Sequence, residues 1–459
     1  MVFSSGVFLF IFLPIVLFVH TVVKNNTARN IFLVIASLVF YAYGEPVYVF
    51  MLIGSVAVNY VFGCILGRYK KKAVLALAVV LNLALLFVYK YAGFVAGILG
   101  LPKPDITMPI GISFFTFQAI SYIIDTYRSD KNEKTGFFDV LLYISLFPQL
   151  IAGPIVKYNS IREYIAKRTV NANKMASGIR RFIVGLSKKM LISNSMGYAA
   201  DTVFAMGTAD ISSPLAWLGA ISYTLQIYFD FSGYSDMAVG LGMALGFDFP
   251  ENFNYPYVAT GIRDFWRRWH MSLTSWFREY LYIPLGGNRK GRARQMLNTL
   301  IVFTATGIWH GANFTFIVWG LFHGVLMCIE TLMKKYIENG KLKLFKWLYT
   351  IFFVIIGFVI FRADSIGYAM AYIGRMFAGG KGAYSYRVLM SILRPEYIVT
   401  LAAALIAMCP VVPFIKKKTM GKSHNTVQAL SYAASFGLYF LCILTLAADS
   451  YNPFIYFRF

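Results

Sequence analysis

The sequence predicts an all-α polytopic membrane protein. Of its 459 residues, 58% are hydrophobic and 17% aromatic, and the mean hydropathy is +0.62. Only 14% are charged, compared with about 25% in a soluble domain. The net charge of +23 comes from basic residues that fall between apolar runs, which is typical of cytoplasmic loops. We therefore expect contact with membrane lipids and no nucleic-acid partner.

The apolar runs define the predicted membrane-spanning helices, each of which needs about 20 mostly apolar residues. The candidate runs are 6–23, 30–44, 46–66, 73–92, 138–156, 176–206, 214–246, 296–317, 317–337, 346–362, 396–415 and 427–448. We expect about 11 true spans, because some runs are short or interrupted. The run Val7–Val23 is predicted to be a spanning helix rather than a removed signal, because it has no basic leader and no small-residue cleavage site.

Two apolar stretches carry polar residues that a simple span would avoid. Pro109–Tyr127 contains Gln118 and Asp125, which favours a re-entrant or tilted element that is buried in protein or lines a cavity. Ser232 and Asp236 are four residues apart, so in a helix they share a face. Asp236 would either hydrogen-bond a neighbouring helix or line a cavity that binds substrate.

The segment Arg263–Arg294 interleaves basic and aromatic residues at helical spacing. This pattern is typical of an amphipathic helix at the membrane interface. The segment either anchors the chain there or binds a phosphate-bearing donor, since arginine suits phosphate recognition. For the second interpretation the candidate side chains are Arg267 and Arg268.

The run Gly307–Gly324 places two histidines in an apolar setting. Its notable side chains are Trp309, His310, Asn313, Trp319 and His323. An ionisable residue in a membrane-length apolar run is expensive, which indicates a functional site. The alternative is that both histidines pack in the core, hydrogen-bonded to backbone carbonyls.

The geometry of this run follows from its spacing. In a helix, Trp319 and His323 would share a face, as would His310 and Asn313. Gly320 and the glycine four residues later form a GxxxG pattern, which lets a second helix approach closely. The neighbouring runs leave almost no loop between them, so we expect a break at residues 311–313.

The cysteines give no sign of a metal site. Their positions are Cys64, Cys328, Cys409 and Cys442. None forms a CxxC pair, so neither a disulfide framework nor zinc is expected. We predict no bound metal and no cofactor.

Five blocks in order resemble the membrane-bound O-acyltransferase (MBOAT) family. They are PQLIAGPIVKY from Pro148, FDFSGYSDMA from Phe229, NFNYPY from Asn252, RDFWRRWHMSLTSWFREYLYIPLGGNR from Arg263, and GIWHGANFTFIVWGLFHG from Gly307. The likeness is strongest to the bacterial branch that O-acetylates alginate and other cell-envelope polysaccharides. It implies one membrane-embedded domain, 1–459, in which spanning and re-entrant helices surround a funnel or tunnel.

The resemblance also implies an activity and its residues. Acetyl-CoA would donate an acetyl group on the cytoplasmic side of the bacterial inner membrane. The acceptor would be a cell-envelope polysaccharide, reached through a separate, extracytoplasmic serine-esterase-like acetyltransferase. The family's invariant histidine corresponds to His323 and its second polar position to His310. Trp309, Asn313 and Trp319 would bind substrate beside them. The alternatives are a non-catalytic scaffold, or a transporter of an acyl donor or glycan.

The short aromatic tail, residues 452–459, has two interpretations. Its ending FIYFRF resembles the C-terminal motif of a small partner peptide in teichoic acid D-alanylation, in which a tyrosine is a proposed acyl carrier. By that resemblance Tyr456 would carry the acetyl group. The other interpretation is an aromatic anchor at the membrane interface.

Overall fold

The computed structural model describes residues 1–129, 135–333, 342–379, 383–414, 424–448 and 451–455, and every regular element within them is a helix. The predicted all-α class is therefore confirmed. These residues form two compact units. The first unit is Met1–Ile183 with Tyr234–Glu251, and the second is Val184–Gly233 with Asn252–Phe459. The single-domain organisation of 1–459 stays a prediction.

Several helices are suited to cross a membrane. Within the described part of the chain, five are long and apolar enough: Tyr48–Tyr69, Lys72–Lys90, Phe314–Leu332, Lys343–Arg362 and Gln428–Ala448. The pair Tyr384–Ile392 and Pro395–Ala407, bent by 66°, would form a sixth span. These helices make the chain a multi-pass membrane protein. The count of about 11 spans stays a prediction.

The first unit contains most of the N-terminal helices. They are Phe8–Phe12 (π), Leu13–Val22, Asn26–Ala42, Tyr48–Tyr69, Lys72–Lys90, Ala92–Ile98, Ile112–Arg128, Phe137–Ser145, Phe147–Leu150, Tyr158–Ala166 and most of Ala172–Ser187. Ile112–Arg128 is one unbroken helix with nearly all of its side chains buried. The buried carboxylate of Asp125 accepts a hydrogen bond from the backbone N–H of Asn159 at 3.1 Å. This stretch therefore needs no irregular backbone at membrane depth.

The predicted span 138–156 is wrong, because the chain breaks within it. The helix Phe137–Ser145 ends, the backbone leaves helical geometry at Leu146, and a short helix, Phe147–Leu150, follows. Pro148 has no N–H with which to continue the first helix. The N–H of Phe147 donates instead to the hydroxyl of Ser37 at 3.1 Å.

The second unit carries the remaining helices. They are Lys188–Ser193 (π), Asn194–Phe204, Thr208–Asp210 (3-10), the first two-thirds of Ser213–Ala244, Pro256–Val258 (3-10), Ile262–Trp266, Met271–Phe277, Arg278–Tyr282 (π), Gly291–His310, Phe314–Leu332, Lys343–Arg362, Ile366–Phe377, Ala383–Ile392, Pro395–Ala407 and His424–Ala448. The ones that position the candidate site are Ile262–Trp266, Gly291–His310, Phe314–Leu332 and Lys343–Arg362.

Gly291–His310 and Phe314–Leu332 form a tight helical hairpin. The predicted break at residues 311–313 is confirmed, and Asn313 caps the second helix by accepting a hydrogen bond from the N–H of Thr315 at 3.0 Å. The predicted close approach is also confirmed. A methyl group on Gly320 would lie 2.3 Å from the carbonyl oxygen of Phe303, and one on Gly307 would lie 2.3 Å from that of Phe316.

The predicted interfacial helix over Arg263–Arg294 is wrong. The segment folds as short helices separated by turns, and the backbone at His270 is left-handed, with φ 44°. The tryptophans Trp266, Trp269 and Trp276 are buried rather than lying along an exposed face. Their burial in the protein core stabilises the fold more than a partial contact at the membrane interface would.

Candidate active site

His323 lies in a cage of aromatic rings within the second unit. It is 1% exposed, on the helix Phe314–Leu332. Trp319 lies one turn earlier with ring centroids 5.3 Å apart, which confirms the predicted shared face. Trp266 contacts His323 at 5.1 Å and Trp319 at 5.6 Å. We call Trp266, Trp319 and His323 the histidine cage.

A glycine on the helix Lys343–Arg362 leaves room for the catalytic candidate. A methyl group on Gly357 would lie 2.6 Å from Nε2 of His323, which is much closer than van der Waals contact. Only a residue without a side chain therefore permits this position of the imidazole ring. The backbone of a third helix thus defines where Nε2 sits.

The second predicted histidine borders the cage. His310 is the last residue of its helix, and its ring lies 5.1 Å from those of Trp319 and Phe361. Trp319 therefore contacts both histidines. Trp309 is buried and lies 4.9 Å from the ring of His310.

The predicted pairing of His310 with Asn313 is wrong, because the helix ends at His310. Asn313 begins the next helix, and its amide donates a hydrogen bond to the carbonyl of Asp364 at 2.9 Å. Both hydrogen bonds of the Asn313 side chain go to backbone groups. This favours a role in holding the fold over a role in binding substrate.

A third histidine joins this region, and sequence reasoning missed it. His270 is buried, and its ring lies 6.2 Å from that of Trp309. Asn252 Oδ1 accepts hydrogen bonds from the N–H and hydroxyl of Ser272, at 3.2 and 2.8 Å. It lies 3.1 Å from Nδ1 of His270, so Nδ1 must be the protonated nitrogen and Nε2 the basic one. Burial and the nearby His310 hold the pKa of His270 well below its ordinary value.

The sequence around His270 is distinctive, but its pattern predicts a different role for the segment. Its motif, RRWH, lies in the segment for which the sequence predicts an amphipathic helix at the membrane interface. That prediction directs attention to the arginines of the segment and not to a buried histidine. Its partner Asn252 lies 18 residues earlier in the NFNYPY block, and only the folded chain brings the two together.

Several buried polar atoms in this region have no hydrogen-bond partner among the described residues. They are Nε1 of Trp266, Nε1 of Trp319, Nδ1 of His323 and Nε2 of His270. Each such atom costs about 1–3 kcal/mol if it stays unsatisfied. Most buried polar groups in proteins are hydrogen-bonded. The described residues therefore leave hydrogen-bonding capacity on these four nitrogens, which polar groups of a ligand would be able to use.

The other predicted site residues are not members of the cage, or they fall outside the described residues. Arg267 is exposed, while Arg268 donates hydrogen bonds to Asp264 at 2.9 Å and to the carbonyl of Asn254 at 3.3 Å. Asp236 belongs to the first unit, where Arg181 donates hydrogen bonds to it at 3.0 and 2.8 Å. This contact fits its hydrogen-bonding alternative. Tyr456 lies outside the described residues.

Comparison with known proteins identifies the family. Residues 112–371, which include the whole hairpin and cage, match the model of the membrane-bound O-acyltransferase family. The chain belongs to this family. It is therefore an enzyme, an O-acyltransferase, in a multi-pass membrane fold.

Curated relatives of this MBOAT protein cover from 57% to 100% of its length. A protein named probable alginate O-acetylase AlgI, from Pseudomonas putida, is 38% identical over 100% of both chains. A peptidoglycan O-acetyltransferase from Helicobacter pylori is 35% identical over 81% of this chain and 78% of its own. A teichoic acid D-alanyltransferase from Bacillus subtilis is 31% identical over 57% of this chain and 70% of its own.

Proposed function

We propose that this MBOAT protein moves an acetyl group from cytoplasmic acetyl-CoA across a bacterial inner membrane towards a cell-envelope polysaccharide. A separate extracytoplasmic transferase of the serine-esterase type completes the transfer. The names of the relatives support an acetyl group and a polysaccharide acceptor, since they describe alginate and peptidoglycan O-acetylation. The single observation that carries the proposal is the buried histidine cage with its unsatisfied polar atoms.

In the proposed reaction His323 is the general base. Its imidazole removes the proton from an acceptor hydroxyl, and the oxygen attacks the thioester carbonyl. The C–S bond then breaks, and the leaving CoA thiolate takes up a proton. His310 orients the donor or stabilises the oxyanion. The indole ring of Trp319 contacts both histidine rings, and its N–H has no hydrogen-bond partner among the described residues, which suits it to donate to that oxyanion.

The donor's phosphates are assigned to the basic segment. Arg267 is exposed and free of the ion pair that engages Arg268, so we propose that Arg267 makes the stronger contact. A guanidinium binds phosphate oxygens through two parallel hydrogen bonds. Positive charge on the cytoplasmic side would also attract the anionic donor from solution.

The direct test is His323→Ala in purified protein incubated with labelled acetyl-CoA. We expect transfer to fall by about 100-fold or more, because a positioned base contributes that much. His20→Ala is the matched control, since His20 is equally buried but belongs to the first unit. Retained transfer in His323→Ala would contradict the assignment. A transporter would release no CoA even in the wild type, and a scaffold would tolerate both His323→Ala and His310→Ala.

Tyr456 is the proposed acyl carrier. Its side-chain hydroxyl would attack the thioester, hold the acetyl group as an ester, and pass it to the partner transferase. The preceding residues Phe454 and Ile455 are buried, which favours a carrier held by the protein over an anchor in the lipid interface. Tyr456→Phe keeps the ring and removes only the hydroxyl. We expect loss of polymer acetylation with normal expression, and normal acetylation in this variant would eliminate the carrier.

A further inference from the structure

A buried ion pair binds the backbone of the C-terminal segment in the second unit. Lys189 Nζ lies 2.7 Å from Asp230 Oδ1, and these side chains are 3% and 1% exposed. The same ammonium donates a hydrogen bond to the carbonyl of Pro453. The other carboxylate oxygen, Oδ2 of Asp230, accepts one from the N–H of Ile455 at 2.8 Å. We call Lys189 and Asp230 the tail clamp.

The energetics make the pair and the tail mutually dependent. Taking two charges out of water is favourable only when further hydrogen bonds satisfy the remaining donors and acceptors. Here the tail backbone satisfies one donor of Lys189 and one acceptor of Asp230. Because these contacts go to the backbone, they fix the path of the chain whatever side chains it carries.

The local backbone is adapted to this contact. Lys189 lies in a π-helical turn, Lys188–Ser193, and such turns are frequent at functional sites. The helix that carries Asp230 approaches it closely, since a methyl group on Gly233 would lie 2.8 Å from the carbonyl of Gly185. That approach brings a short aspartate side chain within reach of the lysine.

A second contact holds the tail at its beginning. The hydroxyl of Tyr451 donates to Oδ2 of Asp201 at 2.7 Å, and Arg362 donates to Oδ1 of the same carboxylate at 2.7 Å. The segment Tyr451–Ile455 is thus bound at both ends. A surface anchor would not need contacts with two charged sites, one partly buried and one fully buried.

We propose that Lys189 and Asp230 are positioning residues that dock the C-terminal segment and so present Tyr456 for acyl transfer. Tyr456 is the residue that directly follows Ile455. The inference rests on the proposed carrier role of this tyrosine. Neither clamp residue touches the reacting atoms, and the clamp acts through the backbone of the tail.

The test is Lys189→Met in the full-length purified protein, with Lys188→Met as the matched control. The first measurement is digestion from the C-terminus by a carboxypeptidase. The mass of the intact protein, recorded over time, shows when Ile455 is released. We expect release about tenfold faster in Lys189→Met than in the wild type or the control, because the tail detaches locally. Equal release in all three proteins would overturn the clamp and leave the carrier role of Tyr456 intact.

The second measurement is acetylation of the tail from labelled acetyl-CoA. We expect kcat to fall about tenfold in Lys189→Met with an unchanged KM for acetyl-CoA, since the clamp positions the acceptor and not the donor. A rise in KM with unchanged kcat would overturn the positioning role. Normal polymer acetylation in Tyr456→Phe together with fast tail release in Lys189→Met would overturn the carrier and its positioning, but not the docking.

A double variant guards against misfolding. Removing only Lys189 leaves a buried, unpaired carboxylate, which destabilises a fold. Lys189→Met combined with Asp230→Leu removes both charges and keeps the volume apolar. We expect this protein to fold and still to release its tail quickly. A folded double variant that protects Ile455 as the wild type does would overturn the clamp.

Discussion

The histidine cage and the tail clamp are two buried polar clusters of the second unit, and they differ in how their polar atoms are satisfied. In the clamp, Lys189 and Asp230 bind each other and the backbone of the tail. In the cage, Trp266, Trp319 and His323 each have a buried nitrogen without a hydrogen-bond partner among the described residues. Burial of polar atoms is unfavourable in both clusters. In the clamp the ion pair and the tail backbone offset it, whereas in the cage the described residues do not.

This difference separates positioning from chemistry. A satisfied cluster holds structure, because any movement breaks hydrogen bonds that are already made. An unsatisfied cluster keeps its hydrogen-bonding capacity for groups that arrive with the substrate. Changes in the cage should therefore reduce activity more than stability, whereas changes in satisfied contacts should reduce stability as well.

The largest expected effect comes from moving the His323 ring without removing it. In Gly357→Ala the new methyl group would lie 2.6 Å from Nε2 of His323, so the imidazole must shift. We expect kcat for acyl transfer to fall about 100-fold, since a misplacement of about 1 Å is enough for that. The measurement is labelled-acetyl transfer at saturating acetyl-CoA, with the melting temperature recorded in the same detergent.

Gly374→Ala is the matched control for that change. Gly374 is also helical, but a methyl group there meets nothing within 4 Å. Alanine in place of glycine in a helix stabilises it by about 0.5–1 kcal/mol, so the control should be active and slightly more stable. Equal activity in Gly357→Ala and Gly374→Ala would show that the position of the His323 ring does not matter for transfer. The cage would then be structural, as the clamp is.

A smaller loss of activity is expected when the contact between Asn252 and His270 is removed, because His270 has one hydrogen-bonded ring nitrogen and one without a partner among the described residues. Asn252 hydrogen-bonds His270 and Ser272, while Nε2 of His270 is unsatisfied. Asn252→Ala strands these donors, so we expect a loss of about 2 kcal/mol in the free energy of unfolding. Activity should fall about tenfold, because the imidazole loses the contact that fixes its tautomer and orientation.

The measurements for Asn252 are thermal unfolding and acetyl transfer. Asn254→Ala is the control, because Asn254 is exposed in the same loop. If Asn252→Ala lowered stability but left transfer unchanged, His270 would belong with the structural contacts rather than with the cage. A loss of transfer without a loss of stability would place Asn252 itself at the substrate.

Much of the hairpin could be predicted because its signals are local. The break at residues 311–313, the close approach at Gly320 and the shared face of Trp319 and His323 all follow from residue types and spacing within the stretch 296–337. Local spacing also produced errors. It predicted an interfacial helix where Trp266 is buried, and one continuous span where the chain breaks at Leu146.

The sequence by itself determined the membrane class, the family resemblance and the two histidines of the hairpin, because each depends on residue types at short separation. Only the tertiary structure revealed that His270 joins them, that Gly357 shapes the space around His323, and that Lys189 and Asp230 bind the tail. These contacts join residues that are far apart in the chain. Lys189 and Pro453, for example, are separated by 264 positions. Their geometry depends on how whole helices pack, which hydropathy and spacing do not encode.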